Sequence, residues 1–161
     1  RNSKLLLNVP PTRDGLFHPT DVERLRAFGA RRRRLLARDY ARGARVRSDG
    51  EGARAVADGR PDTHWRAAGQ GRATLELTLP VGASCNVVAL QEPIERGQAI
   101  ERFEVAADDG GGWTVIAAGT TVGYLRLARF ESRTVRRVRV TVESTLDVPR
   151  LARVGLHLDD A

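Results

Sequence analysis

The sequence predicts a mainly β fold, a two-sheet sandwich or jelly roll that follows one short strand and one amphipathic helix. Two observations lead to this fold class. From about residue 44 onward, short runs of alternating apolar and polar residues recur every 10 to 15 residues, with turn residues between them. At least eight such runs fall within about 115 residues, a density typical of β-sandwiches. Before residue 44 the apolar residues follow helical spacing instead.

The first predicted elements are a strand and a helix. The run "KLLLNVPP" is apolar and ends in two prolines, which is typical of a strand buried on both faces of a parallel sheet. The turn "TRDGLFHPT" follows, and Thr20 with Glu23 predicts a capping box at the start of the helix. The apolar stripe of this helix comprises Val22, Leu25, Phe28, Leu35 and Leu36. A strand and such a helix form half of a βα repeat, so the stripe needs a partner that buries it.

The later strands are predicted from alternation with a period of two residues. The run "TLELTL" (residues 74–79) places its three leucines on one face, and "RRVRVTVE" (residues 136–143) turns its three valines inward. The other predicted strands are "NVVAL", "RFEVAAD", "WTVIAA", "YLRLARF" and "RVGLHL". Because the pattern changes within residues 38–46, we expect two parts, residues 1–40 and residues 41–161.

The net charge of +7 lies in the front part of the chain. Residues 1–48 contain 13 Lys and Arg against 4 Asp and Glu, whereas residues 49–161 contain 14 against 16. Four successive arginines, residues 31–34, cannot share one helix face, because neighbouring residues point about 100° apart. No aromatic residues interleave with them, so we expect a solvated helix end and no nucleic-acid partner. No apolar run approaches the roughly 18 residues that a membrane span needs, so no membrane partner is expected either.

Catalytic groups are sparse in this sequence. His18, His64 and His157 are far apart and have no partner at metal-ligand or catalytic-triad spacing. The glycine-rich "DDGGGW" lies between two predicted strands, which favours a hairpin loop over a phosphate-binding loop. The single cysteine, Cys85, excludes an internal disulfide and is expected to be a small buried residue. The sequence therefore predicts no catalytic site in the β part.

Several segments carry a resemblance to a known family. "LLLNVPPTRDGLFHPTDVERLRAFGA" resembles the closing strand and helix of the catalytic barrel in α-L-fucosidases of glycoside hydrolase family 29. "AVADGRPDTHW", "NVVALQEPIERGQAIERFEV" and "GGWTVIAAGTTVGYLRLARF" resemble the discoidin-like domain (coagulation factor 5/8 type C, galactose-binding-like) that follows the barrel in a subgroup of these enzymes. The resemblance implies that residues 1–40 are left over from a (β/α) barrel and that residues 41–161 form a discoidin-like jelly roll. The chain would then be the C-terminal part of a longer enzyme.

The resemblance also has implications for activity. Enzymes of this family are retaining glycosidases that use two carboxylates about 5 Å apart, on the C-terminal face of the barrel. Those carboxylates belong to earlier barrel strands, which this sequence does not contain, so the chain alone is expected to be inactive on α-L-fucosides. The resemblance favours an extracellular or periplasmic location, whereas the residues themselves leave the compartment open.

A structural calcium ion is a further implication of the resemblance. In discoidin-like domains, the loop that corresponds to "AVADGRPDTHW" often holds one, and calcium prefers six to eight oxygen ligands. The ligands implied here are Asp58, Thr63 and either Asp159 or Asp160. Arg60 departs from the pattern, because an acidic residue is common at that position. The alternative is that Arg60 replaces the metal by pairing with Asp62 or Asp159.

We expect a carbohydrate site on the loops at one end of the sandwich, because loops place variable side chains on a rigid framework. Sugar recognition combines an aromatic face with planar hydrogen-bonding groups. The candidates in three loops are His64, Arg66 and Gln70; Gln91, Glu92, Arg96 and Gln98; and Tyr124 and Arg126. The expected partner is a fucosylated or galactosylated glycan. A second interpretation is that "QEPIERGQ" docks the domain on its own catalytic barrel, as a purely structural domain that binds no sugar.

Overall fold

A computed structural model describes residues 7–160 of the chain. Within these residues the chain forms one α-helix, α1 (Pro19–Ala37), and two short 3-10 helices, Ala53–Ala57 and Ile94–Arg96. The strands are β1 (Arg45–Arg47), β2 (Trp65–Arg66), β3 (Gly71–Gln91), β4 (Arg102–Asp108), β5 (Trp113–Gly119), β6 (Arg126–Ser144), β7 (Arg150–Leu151) and β8 (Arg153–His157). The predicted fold class, mainly β with one preceding helix, is confirmed.

The framework of the sandwich is the antiparallel pair of the two longest strands, β3 and β6. Leu75 lies opposite Val140 near one end of this pair, and Val88 lies opposite Ala128 in its other half. The register shifts between Thr78 and Ala83 and again between Cys85 and Val87. Irregularities of this kind bend long strands, so that β3 and β6 can contribute to both layers of the sandwich. Strand β1 pairs with the first half of β3 and β8 with its second half, while β4 and then β5 extend the sheet beyond β6.

The core lies between these layers. The three leucines of residues 74–79 and the three valines of residues 138–142 are at most 6% exposed, so their predicted inward orientation is confirmed. They share one hydrophobic cluster with Val88, Leu90, Val154 and Leu156, which are all fully buried. Full burial of each such side chain contributes roughly 1.5–3 kcal/mol, which stabilises the contact between the layers. Trp65 is also fully buried in this cluster.

Four connecting segments meet at one end of the sandwich, because β3 and β6 both fold back at their bends. The backbone and hydroxyl of Thr145 donate to the Glu101 carboxylate at 2.5 and 2.9 Å. The Gln70 side-chain amide donates to the Leu146 carbonyl at 3.4 Å. We call residues 67–70, 92–101, 120–125 and 145–149 the loop end.

The start of helix α1 differs from the sequence prediction. The capping box of Thr20 and Glu23 is wrong, because His18 is the N-cap residue and its Nδ1 accepts a hydrogen bond from the Thr20 N–H at 3.3 Å. Pro19 occupies the first helical position, where its fixed φ suits the helix and its missing N–H would have no partner in any case. The helix therefore begins at Pro19, with His18 as its N-cap, and not after Thr20 as the sequence predicted.

The segment before α1 and the apolar stripe of the helix lie largely in the open. Of the strand predicted around residues 5–9, Leu5 and Leu6 lie outside the described residues, and residues 7–10 form no strand. Leu25 is 38% exposed and Phe28 is 63% exposed, so the sandwich leaves this part of the stripe uncovered. Val22, Leu35 and Leu36 are half-buried. No helix within residues 7–160 combines the length and hydropathy needed to cross a bilayer.

Candidate functional site

Glu92 organises the loop end from inside. Its side chain is 1% exposed, and its Oε1 accepts hydrogen bonds from the Ala99 and Ile100 N–H groups at 2.8 and 2.9 Å. Its Oε2 accepts a third bond from the Gly123 N–H at 2.6 Å. One buried carboxylate thus joins residues 92–101 to residues 120–125. Glu92 was a candidate for contact with sugar, but its burial and its three backbone partners give it a structural position instead.

The exposed candidates of the loop end surround Glu92. Tyr124 is 65% exposed and follows directly after Gly123, whose N–H bonds Glu92. Arg96 is exposed and Gln98 is half-buried, and both lie on the segment that Glu92 fixes. Arg126 holds its guanidinium 5.8 Å from the centroid of the Phe103 ring. The structure therefore brings an aromatic side chain and several planar polar groups onto two adjoining loops.

The other candidates are distributed around this end. Gln70 is tied to residue 146 by its amide, and Arg66 lies on β2 opposite Arg150 of β7. His64 lines a shallow depression with Asp58 and residues 52–55 rather than a face of the loop end. Gln91, at the end of β3, lies opposite Arg153 and lines a separate cavity.

The loop that carries Asp58 is held by its own side chains. Asp58 Oδ1 accepts from the Arg60 N–H at 2.8 Å, and Asp58 Oδ2 accepts from the Thr63 hydroxyl at 2.8 Å. The Arg60 guanidinium donates twice to the Asp62 carboxylate, at 3.3 and 3.0 Å. These bonds lower the pKa of Asp62 and raise the pKa of Arg60. Of the two alternatives left by the sequence, the structure contains the Arg60–Asp62 pair.

Asp159 lies in a different set of contacts. Its carboxylate accepts hydrogen bonds from Arg129 of β6 and, at 3.1 Å, from Arg31 of α1, and these bonds lower its pKa, with Arg129 contributing most. The Asn86 amide also bonds the Asp159 backbone in both directions at 2.7 Å. Asp160 is exposed.

The implied calcium site therefore does not form from these side chains. The oxygens of Asp58 are occupied by the protein's own donors, a guanidinium lies beside them, and Asp159 is paired with two arginines. Among residues 7–160, no group of three or more His, Cys, Asp or Glu side chains could hold a metal ion. The residues present do not fit a calcium ion.

Sequence reasoning missed a network that joins the end of α1 to β8. Asp39 Oδ2 accepts two hydrogen bonds from Arg153, at 3.1 and 2.8 Å, and Asp39 Oδ1 accepts from the Ala41 and Leu156 N–H groups. The fully buried His157 donates from Nδ1 to the Arg38 carbonyl at 2.6 Å and accepts from Arg153 at Nε2. Burial lowers the pKa of His157. Arg153 and His157 are four residues apart on strand β8, so they lie on the same face of the strand. This shared face was the signal in the sequence.

Cys85 is fully buried, as expected. Burial raises the pKa of its thiol to about 11, so the nucleophilic thiolate is disfavoured at neutral pH. This position carries no nucleophilic chemistry.

Comparison with known proteins finds that the chain is similar to α-L-fucosidases. No protein-family model matches the chain. It is 33% identical over 174 residues to α-L-fucosidase 1 of Arabidopsis thaliana, and this match covers 99% of the chain and 34% of that protein. The chain thus spans about a third of the length of this curated relative.

Solved structures extend the comparison. SpGH29 superposes with a TM-score of 0.89 and 32% identity, covering 97% of this chain and 36% of that one. A GH29 fucosidase of Ruminococcus gnavus, solved in complex with fucose, gives a TM-score of 0.84 and 27% identity, over 98% of this chain and 34% of that one.

A smaller protein shows the fold alone. CpGH89CBM32-5 of Clostridium perfringens, solved in complex with GalNAc-β-1,3-galactose, gives a TM-score of 0.66 at 17% identity. It matches 74% of this chain, whereas the match takes in 99% of its own length. The matched part of this chain therefore has the same fold as this smaller protein. Nearly the whole chain is thus similar to proteins of one kind, the α-L-fucosidases of glycoside hydrolase family 29, and it matches about one third of the length of each.

Proposed function

We propose that this chain is the C-terminal part of an α-L-fucosidase-like glycoside hydrolase, and that its discoidin-like sandwich is a non-catalytic accessory domain that binds neutral glycans at the loop end. The observation that carries the proposal is the similarity to fucosidases across 97–99% of the chain, at only about a third of their length. The parent enzyme would hydrolyse α-L-fucosyl linkages by a retaining mechanism, with carboxylates outside this chain.

The loop end supports the binding part of this proposal. A sugar ring has an apolar face that packs on an aromatic ring and hydroxyls that need planar hydrogen-bonding groups. Tyr124 provides the exposed ring, and Arg96 and Gln98 lie on the neighbouring segment. Because the buried Glu92 fixes both segments, these groups are held before a ligand arrives, which reduces the entropy lost on binding. The ligand class proposed is a fucosylated or galactosylated oligosaccharide.

The second candidate is a structural role without sugar binding. The observation that favours it is the uncovered apolar surface formed by Leu7, Leu25 and Phe28 around a groove of about 360 Å³. In a complete enzyme this surface would pack on the catalytic barrel, and the sandwich would stabilise that barrel.

Titration of the ¹⁵N-labelled chain with fucosylated and galactosylated oligosaccharides separates the two candidates. We expect saturable shifts of the Tyr124, Arg96 and Gln98 resonances at millimolar sugar, and loss of these shifts in Tyr124→Ala. Phe17→Ala is the matched control, because Phe17 is an exposed aromatic residue (58%) outside the loop end. If no loop-end resonance moves, the structural role replaces the binding role.

Catalysis is tested with a chromogenic α-L-fucoside. The chain alone should leave the substrate intact, whereas the complete polypeptide, once its upstream coding sequence is read, should hydrolyse it with retention of configuration. Turnover by the chain alone would contradict the non-catalytic assignment.

A further inference from the structure

A cavity of about 330 Å³ lies between the end of α1, the Asp58 loop and the start of β8. This volume is at the lower end of the range for small-molecule sites, which is about 300–1,000 Å³. Part of its wall is apolar, with Leu36, Val56 and Pro61 as the largest apolar side chains. The polar part includes Asp39 and three arginines, Arg42, Arg60 and Arg153. The cavity is separate from the loop-end surface proposed to bind neutral sugars.

The three arginines differ in how their charges are balanced. Arg153 is paired with Asp39 at 2.8 Å, and Arg60 is paired with Asp62 at 3.0 Å. For Arg42, no carboxylate within residues 7–160 lies at ion-pair distance. Arg42 is an exposed residue, so the cavity has one guanidinium at its solvent side that forms no ion pair with the described part of the chain.

Gly59 leaves room for the Arg42 head group. A Cβ added at Gly59 would be 2.7 Å from the Arg42 Cζ, so the guanidinium lies directly against the glycine in the cavity wall. Gly59 also has a φ of +72°, a conformation that other residues rarely adopt. The same glycine thus makes the turn and leaves room for the Arg42 head group.

We propose that this cavity binds the carboxylate of an acidic monosaccharide, a hexuronate. A guanidinium binds a carboxylate through two parallel N–H···O bonds, and Arg42 lines this cavity without an ion-pair partner among the described residues. Gln91 also lines the cavity and offers an amide for ring hydroxyls, and the apolar part of the wall suits the C–H face of a pyranose. The sugar part of this inference rests on the proposed carbohydrate function, whereas the anion part rests on Arg42 alone.

The test is a ¹⁵N NMR titration of the chain with sodium glucuronate at constant ionic strength, with glucose as the neutral analogue and with sodium acetate and sodium sulfate as simple anions. We expect saturable shifts at Gly59 and Ala57 with glucuronate, none with glucose, and at least fivefold weaker binding of acetate and sulfate. Arg42→Gln should weaken glucuronate binding at least tenfold. Arg136→Gln, a change at an exposed arginine beside the strand bends, should leave the affinity unchanged.

Three results would overturn the inference: no saturable shift with glucuronate, an equal response to glucose, or equal affinity in Arg42→Gln and Arg136→Gln. Equal affinity for sulfate and glucuronate would overturn the assignment to an acidic sugar. Tyr124 and Arg96 report the loop end in the same spectra. A failure of the proposed neutral-glycan site would therefore be visible separately from a failure of this cavity.

Discussion

Glu92 shows at the scale of one residue how a charged group can be structural. A carboxylate that accepts three backbone N–H bonds inside the protein exchanges its hydration for fixed partners. Those partners belong to two loops, so the side chain determines how the loops lie against each other. The geometry of the loop end depends on this residue although a ligand cannot reach it.

Replacement of Glu92 by glutamine should destabilise the chain by about 2–3 kcal/mol, because an amide supplies one acceptor oxygen and leaves a buried N–H facing another donor. The measurement is urea denaturation followed by tryptophan fluorescence. Glu95→Gln is the control, since Glu95 is exposed in the same segment, and it should change stability by at most about 0.5 kcal/mol. Equal unfolding midpoints for the two variants would contradict the structural assignment of Glu92.

His157 predicts a pH dependence of stability. Burial lowers its pKa in the folded chain below the ordinary value of 6.5, so below about pH 6.5 the unfolded chain takes up a proton that the folded chain resists. Stability should therefore be complete above this pH and should decrease as the pH falls toward 5.5. Melting temperatures at pH 7.5, 6.5 and 5.5 measure the effect.

The matched variants for this measurement are His157→Gln and His64→Gln. His157→Gln should be less stable at pH 7.5 but should lose much of the pH dependence, whereas His64→Gln should retain it. A wild-type pH dependence in His157→Gln would show that another group is responsible.

At the scale of elements, helix α1 is attached to the sandwich mainly by polar contacts. The helix has no buried residue, and Arg31 bonds the Asp159 carboxylate that Arg129 of β6 also bonds. One carboxylate thus connects a helix to a strand. The neighbouring residues Arg32, Arg33 and Arg34 are exposed, as expected of a solvated helix end.

Replacement of Asp159 by asparagine should loosen α1 while the sandwich stays folded, because a neutral amide holds two guanidiniums less strongly than a carboxylate. Hydrogen–deuterium exchange should become faster for the amides of residues 19–37 and stay unchanged for β3 and β6. Asp160→Asn, a change at the exposed neighbour, should leave exchange in α1 as in the wild type. Unchanged exchange in Asp159→Asn would mean that other contacts hold the helix.

The strands could be predicted because alternation is a local signal. The leucines of residues 74–79 point inward for a reason that their own segment contains, and burial confirms it. The helix cap could not be placed in this way, because both His18 and Thr20 can cap a helix. Pro19 favours the start at His18, since a proline fits the first helical position. The bends of β3 and β6 also escaped prediction, since they are defined by pairing between distant segments.

The candidate site was less predictable than the strands. Glu92 has the sequence context of an exposed loop residue, and its burial depends on N–H groups 7, 8 and 31 residues away. The Arg60–Asp62 pair was one of two alternatives, because a short spacing permits an ion pair without requiring it. The cavity beside Arg42 joins three distant segments, and no local pattern indicates it.

At the scale of the whole molecule, the described residues form a closed core and an open apolar surface beside helix α1. Leu7, Leu25 and Phe28 are 60%, 38% and 63% exposed, and they lie together around one groove. Contiguous apolar surface of this kind usually marks a contact with another protein surface.

The isolated chain should therefore self-associate at high concentration through this surface. Phe28→Glu should shift the chain toward the monomer in sedimentation velocity experiments at concentrations up to about 1 mM. Val81→Glu is the control, because Val81 is 76% exposed but lies at the strand bends. Equal self-association of the two variants would show that the surface around Phe28 is not the contact.

The pairing of Arg31 with Asp159 has a consequence for synthesis on the ribosome. The two residues are 128 positions apart, so at about 5–20 residues per second the helix is made on the order of 10 s before the carboxylate that attaches it. Strand β8, which completes the sheet beside β3, is also made after the other described strands of the sandwich. During that interval the nascent helix lacks this carboxylate, and its exposed apolar residues Leu25 and Phe28 are open to chaperones or to parts of the polypeptide that have already folded.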